Sequence, residues 1–93
     1  MRPRLASWMT PVDRDILELL QNQDGRELVL TPGVIEANTD WGRQAVREHL
    51  MTLRKEGLVD YEDESRALYR LSERGRNYLE GRLAVEELEN REE

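Results

Sequence analysis

The chain has 93 residues, with 14 Lys plus Arg against 20 Asp plus Glu and a net charge of −6. Domains begin near ~50 residues, so this length predicts one domain over 1–93 with one modest core. The absence of cysteine and the single histidine exclude a disulfide framework, a thiolate zinc site and a cysteine nucleophile. A single histidine also argues against a His-based metal centre or a Ser-His-Asp triad.

The cations are thirteen Arg and one Lys, Lys55, and the acids are fourteen Glu and six Asp. An acidic, Lys-poor surface suits concentrated salt, where the Debye length is only ~3 Å at 1 M and like charges repel weakly. The competing reading is an ordinary acidic domain with an arginine bias. A net anion does not coat nucleic acid, so any DNA contact must come from a local cationic face. No run approaches the ~18 apolar residues of a membrane span, and no signal peptide is visible. A cytoplasmic protein without membrane attachment, cofactor or evident small-molecule ligand is expected.

Residues 1–9 form an arm with Leu5, Trp8 and Met9 as its apolar residues and no regular period. Thr10 is a good N-cap, Pro11 suits the first helical position and Asp13 lies three after the cap. Val12, Ile16, Leu19 and Leu20 then mark one buried stripe, and Asn22 to Gly25 ends the helix. Leu28 to Leu30 is one small strand at most. Thr31-Pro32 repeats the cap signal and opens a short helix over Pro32 to Ala37, with Val34, Ile35 and Ala37 as its apolar residues. Asn38-Thr39-Asp40 is turn chemistry.

The clearest helix runs Arg43 to Glu56, with Ala45, Val46, Leu50 and Leu53 inward and Gly57 as its stop. Stepping ~100° per residue places Gln44, Arg47, Glu48, Met51 and Lys55 on the opposite face. Strand-like runs at Leu58 to Glu62 and Ala67 to Leu71 flank a polar tip and predict a hairpin. Ser72 caps a helix over Glu73 to Glu80, with Tyr78 and Leu79 inward. Residues 10–81 thus form the core unit. Residues 82–93, RLAVEELENREE, continue as helix through Leu83 and Leu88 or fray.

A short helix joined by a tight turn to a longer one is a helix-turn-helix unit, and a hairpin directly after it is a wing. The predicted fold is mainly α with a small β-hairpin (α+β): a winged helix-turn-helix with a three-helix core, a wing and a C-terminal helix. An α-helix fits the B-DNA major groove, which is ~12 Å wide.

The stretches MRPRLASWMTPVDRDILELL, NTDWGRQAVREHLMTLRKEGLV and LYRLSERGRNYLEG resemble a known family. It comprises the small winged-helix proteins of haloarchaea similar to the repressor of a haloarchaeal phage. The likeness covers nearly all the chain, and the N-terminal pattern is its most particular part. The resemblance implies a sequence-specific regulator of transcription that binds double-stranded DNA, a repressor by type, in a salt-loving archaeon.

Arg43, Gln44 and Arg47 lie in the first turns of the long helix. Arg can donate two bonds to guanine and Gln can pair with adenine. The segment from Trp41 to Gly57 carries a net of +2 within a chain of −6. The competing reading of these residues is a solvated helix surface. Glu48 suits a cytosine amine or plain solvent, and Met51 a thymine methyl or a dimer seam. Arg54 and Lys55 suit phosphate or solvent. Arg66 at the acidic tip is an ion-pair partner of its neighbours or a minor-groove probe. Trp41 stacks on the DNA backbone or packs on the turn. His49 falls on the flank of the buried stripe as a boundary residue.

Homodimers read two half-sites about a helical turn apart. Leu5, Trp8, Met9, Leu83, Val85 and Leu88 lie outside the minimal fold, so the arm and the C-terminal extension are the expected subunit contact. An alternative function is a protein-interaction module that uses the same fold without DNA, which the acidic wing favours. No nucleophile-base spacing points to an enzyme.

Overall fold

The computed structural model describes residues 3–89. The elements are α1 (Pro11–Gln21), α2 (Pro32–Ala37), α3 (Arg43–Lys55), β1 (Val59–Asp63), β2 (Leu68–Leu71), α4 (Glu73–Leu79) and α5 (Val85–Glu89). This is the expected winged α+β arrangement, with the two strands as an antiparallel hairpin.

Thr10 caps α1 as its sequence requires. The Thr10 hydroxyl accepts from the Val12 amide at 3.2 Å, and the Asp13 carboxylate accepts from the Thr10 amide at 2.8 Å. The helix ends at Asn22, whose φ of 50° is left-handed. Its buried stripe is Val12, Ile16, Leu17 and Leu20. Leu17 thus takes the place expected of Leu19, which is only partly buried.

The small strand expected at Leu28 to Leu30 shrinks to one bridge. Leu30 and Tyr69 exchange backbone bonds of 3.0 and 2.8 Å, and pairing stops there. Thr31 caps α2 on the next residue, and a capping residue cannot also extend a strand. Within α2 only Ile35 is buried, while Val34 and Ala37 face solvent.

Helix α3 buries Val46, Leu50 and Leu53 completely. Its end is a double turn-back: the Gly57 amide donates to the Arg54 carbonyl and the Leu58 amide to the Leu53 carbonyl. Gly57 has φ +82°, a conformation that costs a side-chain-bearing residue ~1–2 kcal/mol. The chain therefore leaves α3 directly into β1. The strands pair Val59 with Leu71, Asp60 with Arg70 and Tyr61 with Tyr69, and the register slips between Tyr61 and Asp63. The slip makes Glu62 the extra residue of a bulge and moves the turn to 64–67, one residue later than expected.

Ser72 caps α4 by accepting from the Gly75 amide, and its hydroxyl donates back to the Gly57 carbonyl. Gly75 is buried with the Leu58 carbonyl where a Cβ would stand, so α4 sits directly on the base of the wing.

The arm and the C-terminal segment are joined to the core and to each other. Ala6, Met9, Val85 and Leu88 are buried in it, the Trp8 indole donates to the Leu88 carbonyl and the Tyr78 hydroxyl donates to the Arg4 carbonyl. This corrects the expectation that Met9, Val85 and Leu88 are left over for a second subunit: their side chains are covered within one chain. Leu5, Trp8 and Leu83 remain partly exposed. Helix α5 spans only Val85–Glu89, and the rest of the expected extension, 90–93, lies outside the described residues.

Candidate nucleic-acid interface

Three supports fix how α3 is presented. From below, Val46, Leu50 and Leu53 key it into the core. From α1, Asp13 is completely buried and accepts from His49 through Oδ1 at 2.9 Å while its other oxygen holds the Thr10 amide. A buried carboxylate is tolerable only when its oxygens are satisfied, and here they are. The pair ties the first turn of α1 to the middle of α3. His49 is the boundary residue that the helical wheel predicts, but its partner was not foreseeable, since the third residue after a cap usually faces water.

The third support is the turn. Thr39 donates to the Ile35 carbonyl, and the Trp41 indole donates to Asp15 at 2.9 Å. The half-buried Trp41 thus packs on the turn and bonds to α1, and its only donor is taken.

With α3 held in this way, Gln44, Arg47, Glu48, Met51, Arg54 and Lys55 are all exposed, Met51 at 67%. The structure brings these expected residues onto one surface. Their surroundings differ. The Arg43 guanidinium lies against Gly33 and pairs with Glu36 of α2 at 2.7 Å. The Gln44 amide donates to Glu48 at 2.8 Å, one turn along. The Arg54 guanidinium lies 4.4 Å from the centre of the Tyr61 ring. Among the described residues, Arg47 and Lys55 make no ion pair, whereas Arg4, Arg43, Arg66, Arg70, Arg76 and Arg82 each do.

The wing tip is the counterpart. Arg66 lies 3.8 Å from Asp63, and Arg70 pairs with Glu62 at 3.1 Å. Asp63 also accepts from the Ser65 hydroxyl and the Arg66 amide, bonds that hold its carboxyl below the usual carboxylate range. The Arg66 side chain nonetheless stays 73% exposed.

Two residues absent from the sequence-based candidates join the surface. Tyr61 and Tyr69 face each other across the wing with ring centres 4.9 Å apart, and with Arg43, Arg47 and Met51 they line an open cleft between α3 and the wing. Strand alternation puts each Tyr on the inner side of its strand, but nothing in the sequence pairs them. No group of three or more potential ligands could hold a metal ion among the described residues, and no described helix is long and apolar enough to cross a membrane.

Comparison with known proteins points the same way as the fold. The family model for winged helix-turn-helix phage repressors matches residues 1–91. The repressor protein of Halobacterium phage phiH is 36% identical over 87 residues, which is 92% of this chain and 96% of that protein. No solved structure matches.

Proposed function

Because the chain belongs to the winged helix-turn-helix phage repressor family, we propose that it is a transcriptional repressor that binds double-stranded DNA by sequence. Its action is occupancy of an operator, with α3 in the major groove and no chemistry performed. One observation carries this reading: in a chain of net −6, the outward face of α3 holds Arg47 and Lys55 without acidic partners.

The side chains divide by reach. Arg47 is the bidentate donor to guanine, a contact of ~1–3 kcal/mol. Gln44 and Glu48 act as a pair: the amide bonded to Glu48 is held in one orientation, leaving the Gln44 carbonyl and the second Glu48 oxygen for base amines. Met51 meets a thymine methyl. Lys55 and Arg54, in the last turn, meet the backbone. Arg43, anchored to Glu36, positions α2 against α3 and contributes less to base contact. At high salt the counterion-release contribution shrinks, so base contacts and shape carry the affinity.

A second copy of the chain completes the reading, since two half-sites one turn apart extend the recognised sequence. The partly exposed Leu5, Trp8 and Leu83 supply the apolar contact. Sedimentation of Leu83→Glu as a monomer beside a dimeric parent supports this, and a parent that sediments as a monomer contradicts it.

Selection from a randomised duplex pool in molar KCl tests the function. The expected result is one enriched sequence, bound ~10-fold or more weakly by Arg47→Ala. Recovery of no enriched sequence would favour the protein-docking alternative, for which the exposed Val29, Val34 and Met51 are the available apolar contacts.

A further inference from the structure

The cleft between α3 and the wing differs chemically from the rest of the surface. Twenty of the 93 residues are acidic, yet among the described residues no carboxylate lines this cleft of about 570 Å³. Its walls are Arg43, Arg47 and Met51 of α3, Tyr61, Ala67 and Tyr69 of the wing, and the start of α2 from Thr31 to Gly33. Arg43 is already paired with Glu36, so Arg47 is the cation left to the cleft, and a cleft of that charge on an anionic molecule fits an anionic occupant.

The two tyrosines give the cleft a directed donor. Tyr69 is 6% exposed, and its hydroxyl lies 3.4 Å from that of Tyr61 and donates to it. Burial first, and then the bond to Tyr61, push the Tyr69 phenol up to about 12. Tyr61 therefore accepts from within the protein and has its own proton free to give outward. The ring of Tyr61 has Tyr69 at 4.9 Å, centre to centre, and the guanidinium of Arg54 at 4.4 Å from its centre. A hydroxyl donor that opens on this cleft is suited to an anionic oxygen, because hydrogen bonds to charged acceptors are the strong ones.

We propose that the Tyr61 hydroxyl binds a phosphate oxygen of one DNA strand in the cleft between α3 and the wing. This rests on the DNA-binding reading above. It makes the base of the wing its contact with the backbone. The tip, where Arg66 and Arg70 face Asp63 and Glu62, makes none. A phosphate contact positions the protein without reading sequence. Tyr61 thus adds affinity to every duplex, while Arg47 adds it to the preferred one.

The test uses the full chain and two probes in molar KCl: the duplex recovered by selection and a scrambled duplex of the same composition. Tyr61→Phe keeps the ring, its stacking and the Arg54 contact and removes only the hydroxyl. It is expected to weaken both duplexes by the same factor, about 5-fold, in line with one hydrogen bond. Arg66→Ala is expected to leave both unchanged. An unchanged affinity for Tyr61→Phe, with a thermal unfolding midpoint equal to the parent's, overturns the proposal. So does a loss confined to the selected duplex. Binding of neither duplex by the parent overturns the DNA reading itself, which separates the two failures. Replacing chloride by inorganic phosphate at matched ionic strength is expected to leave the Tyr61 ring resonances unmoved. Saturable shifts there would assign the cleft to a free anion instead.

Discussion

Helix α3 and the wing are built from the same charged residue types and present them in opposite ways. Each wing arginine meets an acid of its own hairpin, Arg66 with Asp63 and Arg70 with Glu62. On α3, Arg47 meets none among the described residues, and its helical neighbours explain why. The residues three and four away are Arg43, Gln44, Leu50 and Met51, none of them acidic. Glu48 is adjacent in sequence but ~100° around the helix, where Gln44 takes it. A hairpin four to five residues across folds its acids back onto its bases, while a helix keeps them on separate bearings. The lesson is that availability for a partner depends on pairing geometry more than on net charge.

The comparison breaks most completely if its common foundation is removed. Leu50 is fully buried beneath α3, so Leu50→Ala is expected to cost ~2–5 kcal/mol in chemical denaturation and to weaken every surface function together. Next is Gly75, whose missing Cβ lets α4 sit on the Leu58 carbonyl. Gly75→Ala is expected to destabilise by ~1–3 kcal/mol through overpacking, although alanine is the better helix former. A rise in the unfolding midpoint would show that α4 does not approach so closely.

The sharpest contrast is between arginines. Arg47→Ala is expected to weaken operator binding by ~1–3 kcal/mol in a molar-salt titration, and Arg70→Ala by under ~0.5 kcal/mol, because Arg70 is committed to Glu62. Equal losses would remove the distinction between the two regions.

Another small effect concerns the tie between α4 and the segment after α1. Arg76 donates two bonds to Glu27, at 2.6 and 3.0 Å, and these hold the Glu27 carboxyl below its ordinary 4.5. A lowered folded value means that this stabilisation is fully present above the ordinary carboxylate value. It is lost as pH falls through the lowered one. Both side chains are 35% exposed, so solvent screens the pair. Glu27→Gln is expected to cost under ~1 kcal/mol at neutral pH and progressively less in acid, followed by thermal unfolding across pH.

The elements themselves were largely legible in the residues. Thr-Pro capping pairs, the spacing of Val46, Leu50 and Leu53, and Gly57 are local signals, and local signals survive folding. What was not legible depends on contacts distant in sequence. Asp13 reads as a capping acid and also buries itself against His49, 36 residues on. Leu28 to Leu30 has strand composition but finds only one partner residue, Tyr69. The arm and the extension looked unattached because nothing local shows that Trp8 and Leu88 meet across 80 residues. The exposed residues of α3 followed from helical stepping alone, while the Tyr61–Tyr69 pair required the register of the wing.

Amide and side-chain resonances followed during titration with the selected duplex, in molar KCl, address the central claim most directly. The account predicts that Gln44, Arg47, Glu48 and Met51 shift saturably with the Tyr61 ring, while Glu64 to Arg66 stay in place. Shifts concentrated on the wing tip or on the arm and α5, with α3 silent, would contradict it.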